Sequence, residues 1–462
     1  MNINFGTNVT NCSIIFDVNG NYTTQNNDIY IYGNKWNGMV YFPNKKEHID
    51  INGSSNMNKR IIIPDTVTNL SNSFRNCRNL NQNIKIPNSV TSLNQTFNGC
   101  WNLNQNIQIP NSVTSMINTF YGCYRLNQNI QIPNSVTNMY GTFRTCSDLN
   151  QNIQIPNNVT NMYSTFDNCN SLNQNIKIPN NVTNMSSTFN GCRNLVQNIQ
   201  IPNSVTSMHS TFGGCWNLNQ NIQIPDSVTN MDKIFQTCYS LNQNIKIPNN
   251  VTTVANIFSY CNNLNQNIKI PNNVTDMYGT FSGCYNLNQN IQIPNNVINM
   301  PYAFYGCHCL NQNIQIPNSV TNMRSTFGNC YNLNQNIKIP NGVISMDSTF
   351  NDCNNLNQNI KIPNSVTNAW FVFRNCNLLS NIVIGSNVKN NIFVGFLPPN
   401  NSHVRNVYTD SLSATNLITT KIIHPANANT QITAQILPTW TTIDNGYYNV
   451  LYNVYIYTNA IL

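Results

Sequence analysis

Charge is the first thing this sequence lacks. Only 8% of its 462 residues are Asp, Glu, Lys or Arg, and Glu47 is its single glutamate. Paired carboxylates for acid–base hydrolysis are correspondingly scarce, and Asp347/Asp352 reads as surface variation. Histidine is as sparse: His48, His209, His308, His403 and His424 occupy no two matching positions of the repeat described below. Cys-x-x-Cys, His-Glu-x-x-His, Gly-x-Ser-x-Gly and a glycine-rich phosphate loop are all missing. The reading is therefore non-enzymatic, with no catalytic residue, metal or cofactor expected, and a glycan depolymerase falls with the rest. Missing too is any run of about eighteen apolar residues, so no membrane insertion is expected. The start, Met-Asn-Ile-Asn-Phe-Gly-Thr-Asn, has neither the basic nor the apolar segment of a secretory signal. Folding in a reducing cytosol is the expectation, with any exterior location reached by a non-classical route. A net charge of +8 spread over so long a chain gives little reason to expect nucleic acid as a partner.

What the sequence has is a ruler. Cys77, Cys100, Cys123 and eleven further cysteines to Cys376 recur every 23 residues without insertion. A fixed period of this size means a solenoid, one supersecondary unit stacked on the next. In the copy that starts at Leu80, Ile84 and Ile86 alternate with Lys85, which predicts a short strand ended by Pro87. Val90, Leu93, Phe97, Cys100 and Leu103 follow at steps of 3, 4, 3 and 3, which predicts a short helical segment. All seven apolar residues are expected in one shared core, with coils about 4.8 Å apart. The column cysteines read as buried apolar thiols, leaving Cys12 and Cys309 as free thiols outside the column. The polar segment Leu80-Asn-Gln-Asn83 returns almost unchanged, broken only by Val196. It reads either as an amide ladder between coils or as ordinary solvated turn.

The architecture that follows is an α/β repeat solenoid of short parallel strands and short helical segments between β-rich ends. Residues 1–58 form a β-rich cap or attachment domain, 59–390 the solenoid, 391–402 a linker and 403–462 a β-rich C-terminal domain. Asn19-Gly20 and Asn37-Gly38 are hairpin signals in the cap. The aromatic run Tyr447–Tyr457 is too hydrophobic for a bare edge strand.

The pattern Leu-x-x-x-Ile-x-Ile-Pro-x-Ser-Val-Thr-x-Met/Leu-x-x-x-Phe-x-x-Cys resembles the 23-residue BspA-type leucine-rich repeat over residues 60–388. The resemblance implies a right-handed leucine-rich-repeat superhelix and binding or adhesion at a surface. A virion or phage structural protein assembled in host cytosol fits a surface-type repeat without a signal. The alternative is an adhesin of a cellular organism exported without a conventional signal. Expected partners are other virion or surface proteins through the ends, a host surface protein or glycan through the solenoid, and a further copy of the chain in a homo-oligomer.

Comparing copies within the chain shows which positions vary. The residue after each column Cys includes Trp101, Tyr124, Trp216, Tyr239, Tyr285, His308 and Tyr331, and the residue after each Met/Leu includes Tyr140 and Tyr163. Together with the residue after each Phe, these are expected to share the outer face of the helical segment. They read either as a recognition surface or as neutral variation on a solvent face. A second column, Lys85, Lys177, Lys246, Lys269, Lys338 and Lys361 interleaved with Gln, is a weakly basic stripe on the strand face. It would meet an anionic polymer or serve as polar filler.

Overall fold

The computed structural model describes residues 80–379, residues 60–78 apart from 64 and 66, and the backbone of the strands Ile15–Phe16, Tyr22–Thr23, Asp28–Tyr30, Asn381–Ile384, Arg405–Thr409, Ile432–Gln435, Thr439–Ile443 and Gly446–Ile456. The chain divides into two compact units, Met1–Val228 and Thr229–Leu462. The linker 391–402, Cys12 and the Asn37-Gly38 turn lie outside the described residues.

In the first unit the organising feature is how backbone N–H groups alternate their partners. Leu93, Gln95, Phe97 and Gly99 donate to the carbonyls of Ser115, Ile117, Thr119 and Tyr121 in the next coil, at 2.7–3.1 Å. The intervening Thr96, Asn98 and Cys100 donate three residues back, to Leu93, Gln95 and Phe97, at 3.0–3.2 Å. Gln95 and Gly99 sit at φ of 56° and 77°. A left-handed residue cannot continue an α-helix; it turns its N–H out of the coil instead. The stretch is thus a train of tight turns. The expected helical segment does not form, because two positions per copy, four residues apart, reverse the sign of φ.

Side chains then stack in columns. Ile84, Val90, Leu93, Phe97, Cys100 and Leu103 are fully buried, and Ile86 nearly so. The phenylalanines from Phe74 to Phe212 step by 5.5–5.7 Å with rings within 8° of parallel. Two polar columns run through this core, each with its donor satisfied. Thr96, Thr119 and Thr142 donate Oγ1 to the carbonyls of Leu70, Leu93 and Met116 at 2.9 Å. Cys100 and Cys123 donate Sγ–H to the Phe74 and Phe97 carbonyls at 3.0 and 3.1 Å. The column cysteines are therefore buried donors as well as apolar filler, and all fourteen are free thiols.

The Ile-x-Ile segment keeps the expected alternation, Ile84 and Ile86 buried and Lys85 exposed. It pairs as a strand only where the terminal strands extend it. In the first unit β1 (Ile15–Phe16), β2 (Tyr22–Thr23), β3 (Asp28–Tyr30) and β4 (Arg60–Ile62) form one sheet in the order β2-β1-β3-β4. β1 and β2 pair antiparallel on either side of Asn19-Gly20, and that turn itself lies outside the described residues. Elsewhere along this unit the parallel bridges between coils fall instead just before the turn train, Asn69 to Ser92, Ser92 to Ser115 and onward to Ser207, and each Pro removes a donor from the Ile-x-Ile side. The bonding between coils has moved to the turn side.

The second unit repeats the arrangement. Met277, Gly279, Phe281 and Gly283 donate to Asn299, Pro301, Ala303 and Tyr305 at 2.7–2.9 Å. Its phenylalanines, Phe235 to Phe373, step by 5.6–5.9 Å. β5 (Ile360–Ile362) pairs parallel with β6 (Asn381–Ile384), and β6 with β7 (Arg405–Thr409). β8 (Ile432–Gln435), β9 (Thr439–Ile443) and β10 (Gly446–Ile456) complete this sheet. Asn449 and Asn453 of β10 each have a partner on both sides, so the aromatic run is an interior strand.

The polar segment does form a ladder, but not amide to identical amide. Asn81 Oδ1 accepts the backbone N–H of Asn104 at 2.9 Å and the Gln105 side-chain N–H at 3.1 Å. The same pair of bonds recurs in the second unit from Asn242 to Gln358. Val196 takes the bond from Asn173 through its N–H at 3.0 Å but has no side-chain oxygen to pass on. Asn288→Val, which removes the acceptor of Asn311 and Gln312, is expected to lower stability by about 1 kcal/mol in urea titration, as an ordinary hydrogen bond does. No loss would make the ladder ornamental.

Burial also makes the thiols a liability in alkali. It pushes Cys77 up to about 12 and the deeper Cys123 and Cys284 further. An unfolded thiol ionises near pH 8.5, so above about that pH only the unfolded chain releases these protons. Stability present below that point then falls by about 1.4 kcal/mol per pH unit for each buried thiol. The array is expected to be intact at pH 7–8 and to unfold by about pH 10, read by circular dichroism. Replacing Cys261, Cys284 and Cys307 together by Ser, which can donate to the same carbonyls without titrating, should flatten the decline relative to that variant's own stability at pH 7. An unchanged profile would remove the thiols as its cause.

Candidate recognition face

The residues flanking each column Cys form the outer edge of the turns. Because coils repeat in register, a residue after one Cys lies beside its counterpart in the next coil, and aromatic neighbours stack. Trp101 and Tyr124 have ring centroids 5.6 Å apart at 42°. Tyr285, His308 and Tyr331 form a pile at 4.4 and 4.5 Å, tilted by 4° and 20°. Tyr140 and Tyr163, after their methionines, stack at 5.1 Å. Trp216 is the last such residue of the first unit and Tyr239 the first of the second. Arginine caps two of these rings: Arg78 lies 4.0 Å over Trp101 and Arg193 4.1 Å over Trp216. Burial in the pile holds His308 below the ordinary imidazole range, so it stacks as a neutral ring at neutral pH.

The three variable columns do not share one face, as a helix would have required. The column after Phe is mixed: Asn98 and Asp167 are buried, whereas Arg75 and Arg374 are exposed. Asp167 accepts from Asn168 and Asn190 at 2.8 and 2.9 Å and pairs with Arg144 at 2.9 Å, and Arg144 lies 5.3 Å over Tyr121. Burial raises the Asp167 pKa in spite of these partners. This network spans four coils and ties them together. On the strand side, Lys85, Lys177, Lys246, Lys269, Lys338 and Lys361 are all exposed. Neighbouring coils bring together only Lys246 with Lys269 and Lys338 with Lys361; glutamines separate the rest, so the stripe is interrupted.

Four further tyrosines of the second unit gather near that pile: Tyr278 and Tyr305 stand in the columns after Met and after Phe, while Tyr260 and Tyr302 lie outside the three columns. Tyr278 and Tyr302 meet edge to face at 5.7 Å, Tyr302 and Tyr305 at 5.8 Å, and Arg324 lies 5.9 Å over Tyr302. Tyr305 Oη accepts from Asn329 at 2.8 Å. With the Tyr285–His308–Tyr331 pile they concentrate exposed and half-buried aromatics on the stretch from Tyr260 to Tyr331. Tyr260, Tyr278, Tyr285 and Tyr331 are 38–44% exposed.

Two of these tyrosines are held against conformational preference. Tyr260 and Tyr302 have φ of 60° and 57°, at positions most other coils fill with Gly, Asn or Ser, and a few with Thr, Asp, Gln, Lys or, at Phe371, another aromatic. Such a conformation costs a bulky residue about 1–3 kcal/mol. The next coil makes room: a Cβ on Gly283 would lie 2.5 Å from Tyr260 Cδ1, and one on Gly328 2.9 Å from Tyr305 Cδ2. The signal was available as an aromatic at a glycine position followed, one period on, by glycine.

Comparison with known proteins gives two family matches. The family described as "Mycoplasma protein of unknown function, DUF285" matches residues 51–154, 91–201, 160–270 and 183–293, just over half of the chain in sum. The "BspA type Leucine rich repeat region (6 copies)" matches residues 277–395. No curated protein matches. Among solved structures, a leucine-rich repeat protein from Bacteroides ovatus is 22% identical with a TM-score of 0.49, covering 82% of this chain and 94% of that one. A leucine rich cell surface protein from Faecalibacterium prausnitzii is 24% identical with a TM-score of 0.43, covering 80% and 92%.

The notch is testable by a double-mutant cycle. Tyr260→Asn is expected to leave stability unchanged or raise it by up to about 1 kcal/mol, since Asn tolerates this φ. Gly283→Ala should cost about 1–3 kcal/mol, and less in the Tyr260→Asn background. Additive effects in chemical denaturation would mean that ring and glycine are not coupled.

Proposed function

We propose, for a chain that belongs to the DUF285 family and whose repeats are of the BspA leucine-rich type, a non-enzymatic binding role at a biological surface. The observation that carries it is the group of tyrosines from Tyr260 to Tyr331, in which exposed Tyr260 and half-buried Tyr302 are kept at a left-handed φ. Most other coils fill those positions with the small or polar residues Gly, Asn or Ser, which meet the left-handed φ at less cost than a tyrosine.

The partner class follows from which part of each ring is free. Sugars recognised by stacking need an open ring face. In the pile, His308 gives both faces to its neighbours, and Trp101 has Arg78 over it and the tilted Tyr124 ring beside it. What remains outward is ring edges, hydroxyls and guanidinium N–H groups. Those suit a protein partner, where Tyr, Trp and Arg concentrate binding energy. A protein receptor is accordingly preferred to a glycan, with the strand-rich ends serving attachment.

The test is binding of the purified chain to intact target cells. Tyr260→Asn/Tyr278→Ser/Tyr331→Asn is expected to weaken it at least tenfold without unfolding the array. Pretreating the target with protease should abolish binding, while glycosidase should leave it. Glycosidase sensitivity would return the glycan reading, and full binding by the triple variant would end the proposal for this face. Mass spectrometry of purified particles against cell-surface fractions assigns the carrier as a virion or a cell.

A further inference from the structure

In the first unit, arginine and lysine are sorted. From residue 75 onward its five arginines, Arg75, Arg78, Arg125, Arg144 and Arg193, all lie within two residues of a column Cys, on the outer edge; Arg60, in the lead-in strand β4, is the exception. Over the same stretch its two lysines, Lys85 and Lys177, lie in the Ile-x-Ile segment. The same edge carries only Asp148 and Asp167, and Asp167 is already held by Arg144. The edge is therefore basic, and its cations are forked rather than point charges.

Two of them share one arrangement. Arg78 Cζ lies 4.0 Å from the Trp101 ring centroid and Arg193 Cζ 4.1 Å from that of Trp216, each arginine one coil before its tryptophan. The pairs stand five coils apart, about 28 Å at 5.5–5.7 Å per coil. A guanidinium laid on an indole gives its π face to the ring and keeps its N–H groups at its edge, fixed in direction. That is the geometry in which arginine receives an oxyanion with two parallel hydrogen bonds at little entropic cost. Both arginines and both tryptophans are exposed.

We propose that the outer edge of the first unit takes an acidic polypeptide segment, its carboxylates received by Arg78 and Arg193. The inference rests on the reading of the outer edge as a binding surface and names the chemistry of one partner. A nucleic acid would be gripped by bases stacked on open aromatic faces, and a polysaccharide by sugar rings on the same faces. On Trp101 and Trp216 arginine covers one face, and Tyr124 flanks Trp101 as well. A polypeptide needs neither face: its carboxylates meet the guanidinium forks, and its backbone and side chains pack on the ring edges.

The experiment uses the full chain at low salt and a fluorescent ten-residue glutamate peptide, with a ten-residue glutamine peptide, heparin and a single-stranded oligonucleotide alongside. The glutamate peptide is expected to bind and the glutamine peptide not to. Affinity should fall at least tenfold in Arg78→Gln/Arg193→Gln and several-fold in Arg78→Lys/Arg193→Lys, which keeps the charge but loses the fork. Lys338→Gln/Lys361→Gln, on the other segment, should change it less than twofold. Circular dichroism matching wild type checks that the variants fold. Absence of glutamate-peptide binding, or equal binding by the Gln double variant, overturns the proposal. Heparin or oligonucleotide bound more tightly than the peptide, and lost in that variant, would reassign the edge to a sulfated polysaccharide or a nucleic acid. Failure here with target-cell binding intact removes only the acidic segment; failure of both removes the outer edge as a binding surface.

Discussion

The structure depends on a division of labour among backbone N–H groups. In each copy the N–H groups of alternate residues close tight turns within the coil, and those between them reach the next coil. Neither set would suffice. Local bonds alone would leave coils free to slide past one another, and bonds between coils alone would leave each coil without a defined path. The left-handed positions switch a donor from one set to the other, which is why two recur in every copy. A chain with only 8% charge can be folded this way because backbone and amide groups carry the polar bonding that ion pairs supply elsewhere.

Register between coils follows from that bonding, and with it the columns. A side chain in one coil meets its own counterpart in the next, so every position is tested against itself. Positions that pack well against a copy of themselves persist: Phe on Phe nearly parallel, Thr and Cys donating to carbonyls 26 residues earlier. Buried polar atoms are tolerated because the repeat supplies each with the same acceptor. The thiol suits this site as a small apolar group with a weak donor. Its drawback appears only in alkali, where it favours the unfolded chain.

Much of this was legible in the sequence. The fixed spacing from Cys77 to Cys376 implied stacked coils, and Ile84, Val90, Leu93, Phe97, Cys100 and Leu103 were identifiable as core from alternation and spacing. What misled was the turn train. Steps of 3, 4, 3 and 3 place apolar residues on one side of a helix, but also on the inside of successive tight turns, and periodicity alone does not separate the two. The separating signal was glycine or asparagine before so many column cysteines, as in Gly99, Gly122, Asn168, Gly191 and Gly214. The strand was misjudged for a different reason. Alternation of Ile84, Lys85 and Ile86 reports which way side chains face, and that was right. It does not report at which point of the coil the backbone bonds to its neighbour are made.

The same self-stacking limits what the outer edge can recognise. An aromatic placed singly offers a ring face to a ligand, but an aromatic repeated at one coil spacing covers that face with its neighbour. Stacked columns such as Tyr285, His308 and Tyr331 gain packing and lose the capacity to stack a sugar or a base. An arginine one coil before a tryptophan makes a different exchange: the ring face is spent, and a guanidinium becomes fixed in direction. Binding chemistry in such an array is therefore set by neighbouring pairs more than by single residues. Tyr260 over Gly283 and Arg78 over Trp101 are two such pairs. Each departs from the uniform turn in a way the backbone bonding does not require. Specificity in this scaffold is written in those departures, while the invariant columns keep the coils in register.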